Sequence, residues 1–140
     1  MIIQDTNLLS ELVRPAPNPH LLAWYARFGN DDLALTAISA AELLYGLELM
    51  PHGRKRQQLT RYIAMQLFPF ADRLLPFDAD ATPHYAAIVA TRRKQGRPIG
   101  AQDAMIAAIA RSHGMTLATR NVKDFAGTGV DLVNPWEADL

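Results

Sequence analysis

Cysteine is absent from the 140 residues of the chain. That excludes disulfides, thiolate nucleophiles and any Cys-based zinc site, and it fits a reducing compartment. Net charge is absent as well. Fourteen Lys and Arg balance fourteen Asp and Glu, so no overall field announces nucleic acid and any such role must rest on local clusters. No apolar run approaches the roughly 18–20 residues of a membrane span. Asp5 and Asn7 interrupt the first apolar stretch and no basic segment precedes it, unlike a secretory signal. A cytoplasmic address without a membrane partner is expected. Internal repeats, low-complexity tracts and interdomain linkers are also missing. An apolar fraction of 49% with 20% charged residues is ordinary for a folded globular chain. Residues 1–140 are expected to form a single domain, burying roughly two-thirds of the surface exposed when unfolded.

What is present alternates between short apolar runs and helical patterns. Met1-Ile2-Ile3-Gln4-Asp5 reads as a strand that delivers an acid to its C-terminal end. Asn7 is placed to cap a short helix over Leu8–Val13. Three prolines between Pro15 and Pro19 force a loop, and His20–Phe28 has helical spacing. Leu33–Ile38 suits a buried parallel strand. A helix opens at Ser39 and ends at Pro51-His52-Gly53, and a further helix covers Arg54–Phe68. Arg73–Phe77, with Pro76, reads as a brief edge strand. Asp78 or Asp80 caps a helix over residues 81–94, and a loop over 95–100 leads into an alanine-rich helix beginning near Asp103. Gly114 sits where a C-terminal cap glycine belongs. Strands over Met115–Ala118 and Val130–Val133 flank a single helical turn at Val122–Phe125. Strands alternating with helices predict an α/β fold, a parallel sheet with helices on both faces.

Three carboxylates fall where such sheets place ligands, at strand ends and helix starts along one rim. Asp5 ends the first strand, Glu42 lies in the first turn of the helix after the second strand, and Asp103 opens the alanine-rich helix. Converging carboxylates repel, and without a cation at least one would protonate. All-oxygen donors favour Mg²⁺ or Mn²⁺ over zinc, and such an ion activates water for phosphodiester hydrolysis. Each acid also has a structural role open to it. Asp5 could cap the first helix. Ser39-x-x-Glu42 is a capping-box pattern, and Asp103 suits a helix dipole.

Four blocks carry a resemblance. They are Asp5-Thr6-Asn7, Ala41-Glu42-Leu43-x-x-Gly46, Ile99 to Ala108 around Asp103, and Thr119-Arg120-Asn121-x-x-Asp124-Phe125. In order and spacing they resemble the signature blocks of PIN-domain proteins, more narrowly the VapC/FitB-type toxins, with Asn134-Pro135-Trp136 suiting the FitB-like branch. The resemblance covers residues 1 to about 136. It implies a three-layer α/β/α sandwich with a central, mostly parallel sheet of four or five strands. It further implies a Mg²⁺- or Mn²⁺-dependent endoribonuclease acting as the toxin of a toxin–antitoxin pair. In that reading Asp5, Glu42 and Asp103 form the acidic triad, Asp5 and Asp103 being the most direct metal ligands. Where some relatives place a fourth acid this chain has Asn121, counted with the catalytic set although one charge short. Asp124 either compensates or only supports its loop. The implied partners are RNA, a small cognate antitoxin, and a second copy of the chain in a homodimer or larger toxin–antitoxin assembly.

RNA needs positive contacts to phosphate. Arg120, Lys123 and Arg97 are the nearest candidates, and Arg54-Lys55-Arg56 and Arg92-Arg93-Lys94 form further basic runs. Thr6, Asn7 and Thr119 are polar residues on the same rim, suited either to hold the carboxylates or to cap helices and turns. His20, His52, His84 and His113 lack metal-ligand spacing. Ser10 and Ser39 lack a His–Asp context for nucleophilic attack, and Trp24, Tyr25 and Phe28 are expected in the core or at an interface. Two other functions remain open. An aspartyl-nucleophile phosphatase would carry a second Asp two residues after Asp5, where Asn7 stands. A binding module with a weakened site would be consistent with Asn121.

Overall fold

The computed structural model describes residues 1–139. Four short strands form its sheet: β1 (Ile2–Gln4), β2 (Leu33–Ala34), β3 (Thr116–Ala118) and β4 (Leu132–Val133). Their spatial order is β2-β1-β3-β4 and every pairing is parallel, Ile3 standing opposite both Ala34 and Leu117. The connections are helical: α1 (Thr6–Leu12), α2 (Pro19–Tyr25), α3 (Ala37–Glu48), α4 (Arg54–Leu67), α5 (Thr82–Lys94), α6 (Ala101–His113) and α7 (Val122–Phe125).

Alternation along the central strands builds the three layers. Ile3 and Leu117 are fully buried against Ile106, Ile109 and the alanines of α6, with Ile88 of α5 and Phe125 of α7. The other face receives Leu8 and Leu9 of α1, Leu21 and Trp24 of α2, and Leu43, Leu47 and Ile63 of α3 and α4. The small side chains of α6 let it lie close to the sheet. Gly114 ends it in a left-handed conformation at φ 63°, where a Cβ would be strained.

Several boundaries differ from the sequence expectation. The first helix begins at Thr6, one residue after the strand-end acid, and its cap is Asp5, whose Oδ1 accepts from Thr6 N. Asn7 therefore lies inside the helix. The second strand ends at Ala34, and Thr36 caps α3 by accepting from Ser39 N. Glu42 is thus in the second helical turn, and Ser39 is not the cap of a capping box. The edge strand expected over Arg73–Phe77 shrinks to a single parallel bridge between Thr36 and Leu75, since Pro76 has no N–H to extend the ladder. Asp78 caps a 3₁₀ turn over Ala79–Ala81 that leads into α5. The helix expected over His20–Phe28 ends at Tyr25, and the last strand is limited to Leu132–Val133.

The chain leaves β1 toward β2, then crosses back to β3 on the other side of β1. Strand order reverses between β1 and β3, and a crevice opens outside their carboxyl ends. Asp5 and Thr119 are the first residues beyond those ends.

Candidate active site

Asp5 is only 5% exposed, although it is the residue by which β1 leaves the sheet. Its main chain is still tied to the strand pair, Asp5 N donating to Ala118 O at 2.9 Å. Both carboxylate oxygens are engaged. Oδ1 accepts from Thr6 N at 2.8 Å, and Oδ2 accepts from the Thr119 hydroxyl at 2.7 Å. Burial pushes its pKa above the ordinary carboxylate value. The two hydrogen bonds oppose that, and the charges of Glu42 and Asp124 add to it.

Thr119 is fully buried and acts as the hub. While its proton goes to Asp5, its oxygen accepts from Asn121 N at 3.0 Å and from Asn7 Nδ2 at 3.3 Å. Asn7 Oδ1 in turn accepts from Arg120 N at 3.4 Å. The 119–121 loop is thereby fastened to the first turn of α1. Asn7 and Thr119 hold the strand ends together; Asn7 caps no helix.

Glu42 reaches the same rim through Thr6. The Thr6 hydroxyl lies 2.9 Å from Glu42 Oε1 and 2.9 Å from the buried Ser39 Oγ. Its single proton serves one of them, and a carboxylate that can only accept has the stronger claim. Ser39 and Glu42 are three residues apart and so share one face of α3. That spacing could have drawn Ser39 into the sequence reading of the site.

Asp103 is half-buried in the first turn of α6 behind the Gly100 cap. Burial raises its pKa, the Asp5 and Asp124 charges raise it further, and Arg92 opposes them. Asp124 therefore bears electrically on both Asp5 and Asp103. Asn121 is exposed at the start of α7, and its side chain makes no capping bond there. The added negative charge at this corner comes from Asp124, one helical turn beyond Asn121.

Every donor on this rim is oxygen, which fits a hard divalent cation. Among the described residues no three acidic or His side chains close around one point. Mg²⁺ commonly takes one or two carboxylates and keeps several waters, so the open arrangement is compatible with it. Asp5 and Asp103 are the two acids of the rim whose pKa values are raised, and the charge of Asp5 adds to the rise at Asp103. Among the described residues no histidine joins the hydrogen bonds of this rim, and His20 Nε2 lies 2.6 Å from Ala138 O.

Of the basic candidates, Arg120 and Lys123 are exposed beside the rim. Arg120 lies over the Trp136 ring at 5.4 Å from its centroid. Arg97 is exposed, and its Nη2 donates to Lys123 O at 3.1 Å. Arg92 is different. It is 4% exposed and removed from solvent, so it drops out of the phosphate-contacting run expected at 92–94. Its place four residues after the buried Ile88 on α5 was the available signal. A groove of about 400 Å³ opens next to Glu42, lined by Thr6, Val13, Glu42, Leu43, Leu47 and Ile63 among others.

The sequence model of the PIN domain matches residues 2–129. The chain belongs to the PIN-domain family. Within it, the chain is of the VapC/FitB type. It is 41% identical over 138 residues to the VapC ribonuclease Y4jK of Sinorhizobium fredii, covering 98% of this chain and 99% of that protein. It is 39% identical over 137 residues to the toxin FitB of Neisseria gonorrhoeae, covering 97% and 99%. The solved structure of FitAB bound to an IR36 DNA fragment superposes on this PIN domain with a TM-score of 0.92 at 38% identity, covering 100% of this chain and 99% of the other. The three-layer α/β fold expected from the four blocks is the one found.

Proposed function

We propose that this PIN domain is a Mg²⁺- or Mn²⁺-dependent endoribonuclease and the toxin of a toxin–antitoxin pair. The observation that carries the reading is the buried Asp5 carboxylate at the β1/β3 switch point, held by Thr6 N–H and the Thr119 hydroxyl with the charges of Glu42 and Asp124 bearing on it. Burying acids beside one another raises the free energy of the ionised site, and a divalent cation relieves that cost. The ribonuclease and toxin names of similar proteins support the same reading.

Asp5 and Asp103 would hold the ion, with Glu42 and Asp124 completing the negative rim. A bound divalent cation supplies activation of water and neutralisation of charge on the scissile phosphate. Thr119 and the Thr6 N–H fix the Asp5 carboxylate in one orientation. Thr6 does the same for Glu42, so neither acid has to reorganise when RNA arrives. Asn121, Arg120 and Lys123 present polar and positive groups at the mouth of the rim, where a phosphate backbone would lie. Arg97 stands next to them. RNA is commonly read in loops and single strands. The apolar groove beside Glu42 is where a small antitoxin could dock, and a second copy of the chain would complete a homodimer.

The reading is tested by incubating the purified chain with total RNA in Mg²⁺ or Mn²⁺ and mapping the new ends. Discrete internal cleavage that EDTA abolishes is expected. Intact RNA in both ions, or cleavage indifferent to EDTA, would refute it.

A further inference from the structure

Arg92 carries a positive charge into the interior, and its side chain hydrogen-bonds to no carboxylate among the described residues. Among the described residues, ion pairs join Arg14 to Glu11 and Arg56 to Glu48, and neither reaches Arg92. Its acceptors are main-chain carbonyls from two separate segments. Nε donates to Arg97 O at 2.7 Å, and Nη1 donates to Asp124 O at 2.6 Å and to Ala126 O at 3.0 Å. The Arg92 carbonyl also accepts from Arg97 N at 2.9 Å. One guanidinium thus ties the loop that leads to Asp103 to the turn that carries Asp124.

A neutral donor such as Gln could satisfy one of these carbonyls. Only a planar fork reaches carbonyls on both segments at once. Burying an uncompensated cation is costly in general, and here the nearby countercharge is the acidic rim itself. The residue is buried from solvent, and its charge bears on Asp103.

We propose that Arg92 is a positioning residue of the nuclease site, fixing the α5–α6 loop and α7 relative to each other so that Asp103 and Asp124 present their carboxylates together. It acts through those two acids and touches neither ion nor substrate. This inference rests on the nuclease reading above and adds to it a role for a residue outside the acidic rim.

The test compares wild type with Arg92→Lys and Arg92→Gln, each assayed well below its Tm and normalised to folded protein by near-ultraviolet circular dichroism. Arg92→Lys keeps the charge but loses the fork; Arg92→Gln loses both. Both are expected to lower kcat for RNA cleavage by about 10–100-fold, with KM for RNA within about twofold of wild type. Mn²⁺ affinity, followed by calorimetry without RNA, should fall by a similar factor. Variants with a reduced Tm but wild-type kcat and Mn²⁺ affinity per folded molecule would overturn the proposal and leave the nuclease reading intact. Failure of both variants to fold would assign Arg92 to the core alone and also overturn it. A wild type that neither binds Mn²⁺ nor cleaves RNA would remove both readings together.

Discussion

Asp5 has two duties that the sequence presented as alternatives: it caps α1 through Thr6 N, and it is the most buried acid of the rim. The two are compatible because a carboxylate has four lone-pair directions. Its partner Thr119 was legible only as one of several polar rim residues, since no local pattern reveals a hydrogen bond across 114 positions of sequence. Replacing Thr119 by Val removes the donor to Asp5 and the acceptor for Asn121 N. An activity loss of about 10–100-fold is expected, measurable as the single-turnover rate on a fixed RNA. Asp103 has the opposite sign for stability. Its folded pKa is raised, so the stability it contributes is complete below the ordinary carboxylate range, near pH 4, and is lost as pH rises through the folded value. At neutral pH without metal, Asp103→Asn should therefore raise Tm, by about 1–3 °C after allowing for solvent screening at a half-exposed group. The same variant should lose cleavage activity. A metal-free Tm lower than wild type at pH 7 and unchanged at pH 4 would contradict that sign.

At the level of elements, the strongest patterns in the sequence were those set by local chemistry. The alanine-rich run and Gly114 mark α6 and its end, and Asp78, one of two acids the sequence offers as a cap there, caps the turn before α5. Boundaries set by tertiary partners were not visible. Leu35 is fully buried yet outside β2, where its carbonyl accepts from Leu75 N. Thr36 then takes the cap of α3, moving Glu42 from the first turn to the second. That shift excludes the capping-box role, because only a residue at the third helical position can reach back to the cap N–H. Thr36→Ala removes a fully buried cap and should cost about 1 kcal/mol, or roughly 3 °C in Tm. Because α3 carries both Ser39 and Glu42, its activity should fall as well as its Tm. Gly114→Ala forces a Cβ into the left-handed conformation and should cost a similar amount, with little change in activity per folded molecule.

At the scale of the whole molecule, the start of α1, helix α3 and the 119–121 loop are joined at the rim where strand order reverses between β1 and β3. That reversal was foreseeable from the α/β alternation, but its register was not. Charge was less legible. Zero net charge hid a rim where Asp5, Glu42, Asp103 and Asp124 gather. The sequence places the deficit at Asn121, whereas Asp124, a helical turn away, adds its charge to that of Glu42 at Asp5 and to that of Asp5 at Asp103. Among the described residues no helix is long and apolar enough to cross a membrane. Binding of a divalent ion to the folded rim should raise Tm by mass action, by about 2.7 kcal/mol of stability at a hundredfold excess over Kd. EDTA should reverse the shift. The shift should shrink as pH falls toward the raised pKa values of Asp5 and Asp103, because protons then compete with the ion. The most direct test of the central claim compares wild type and Asp5→Asn in Mg²⁺ on one RNA, at equal folded concentration. Wild-type cleavage and a rate lower by about 100-fold or more in Asp5→Asn are expected; equal rates would contradict the assignment of Asp5 as the acid on which the site is built.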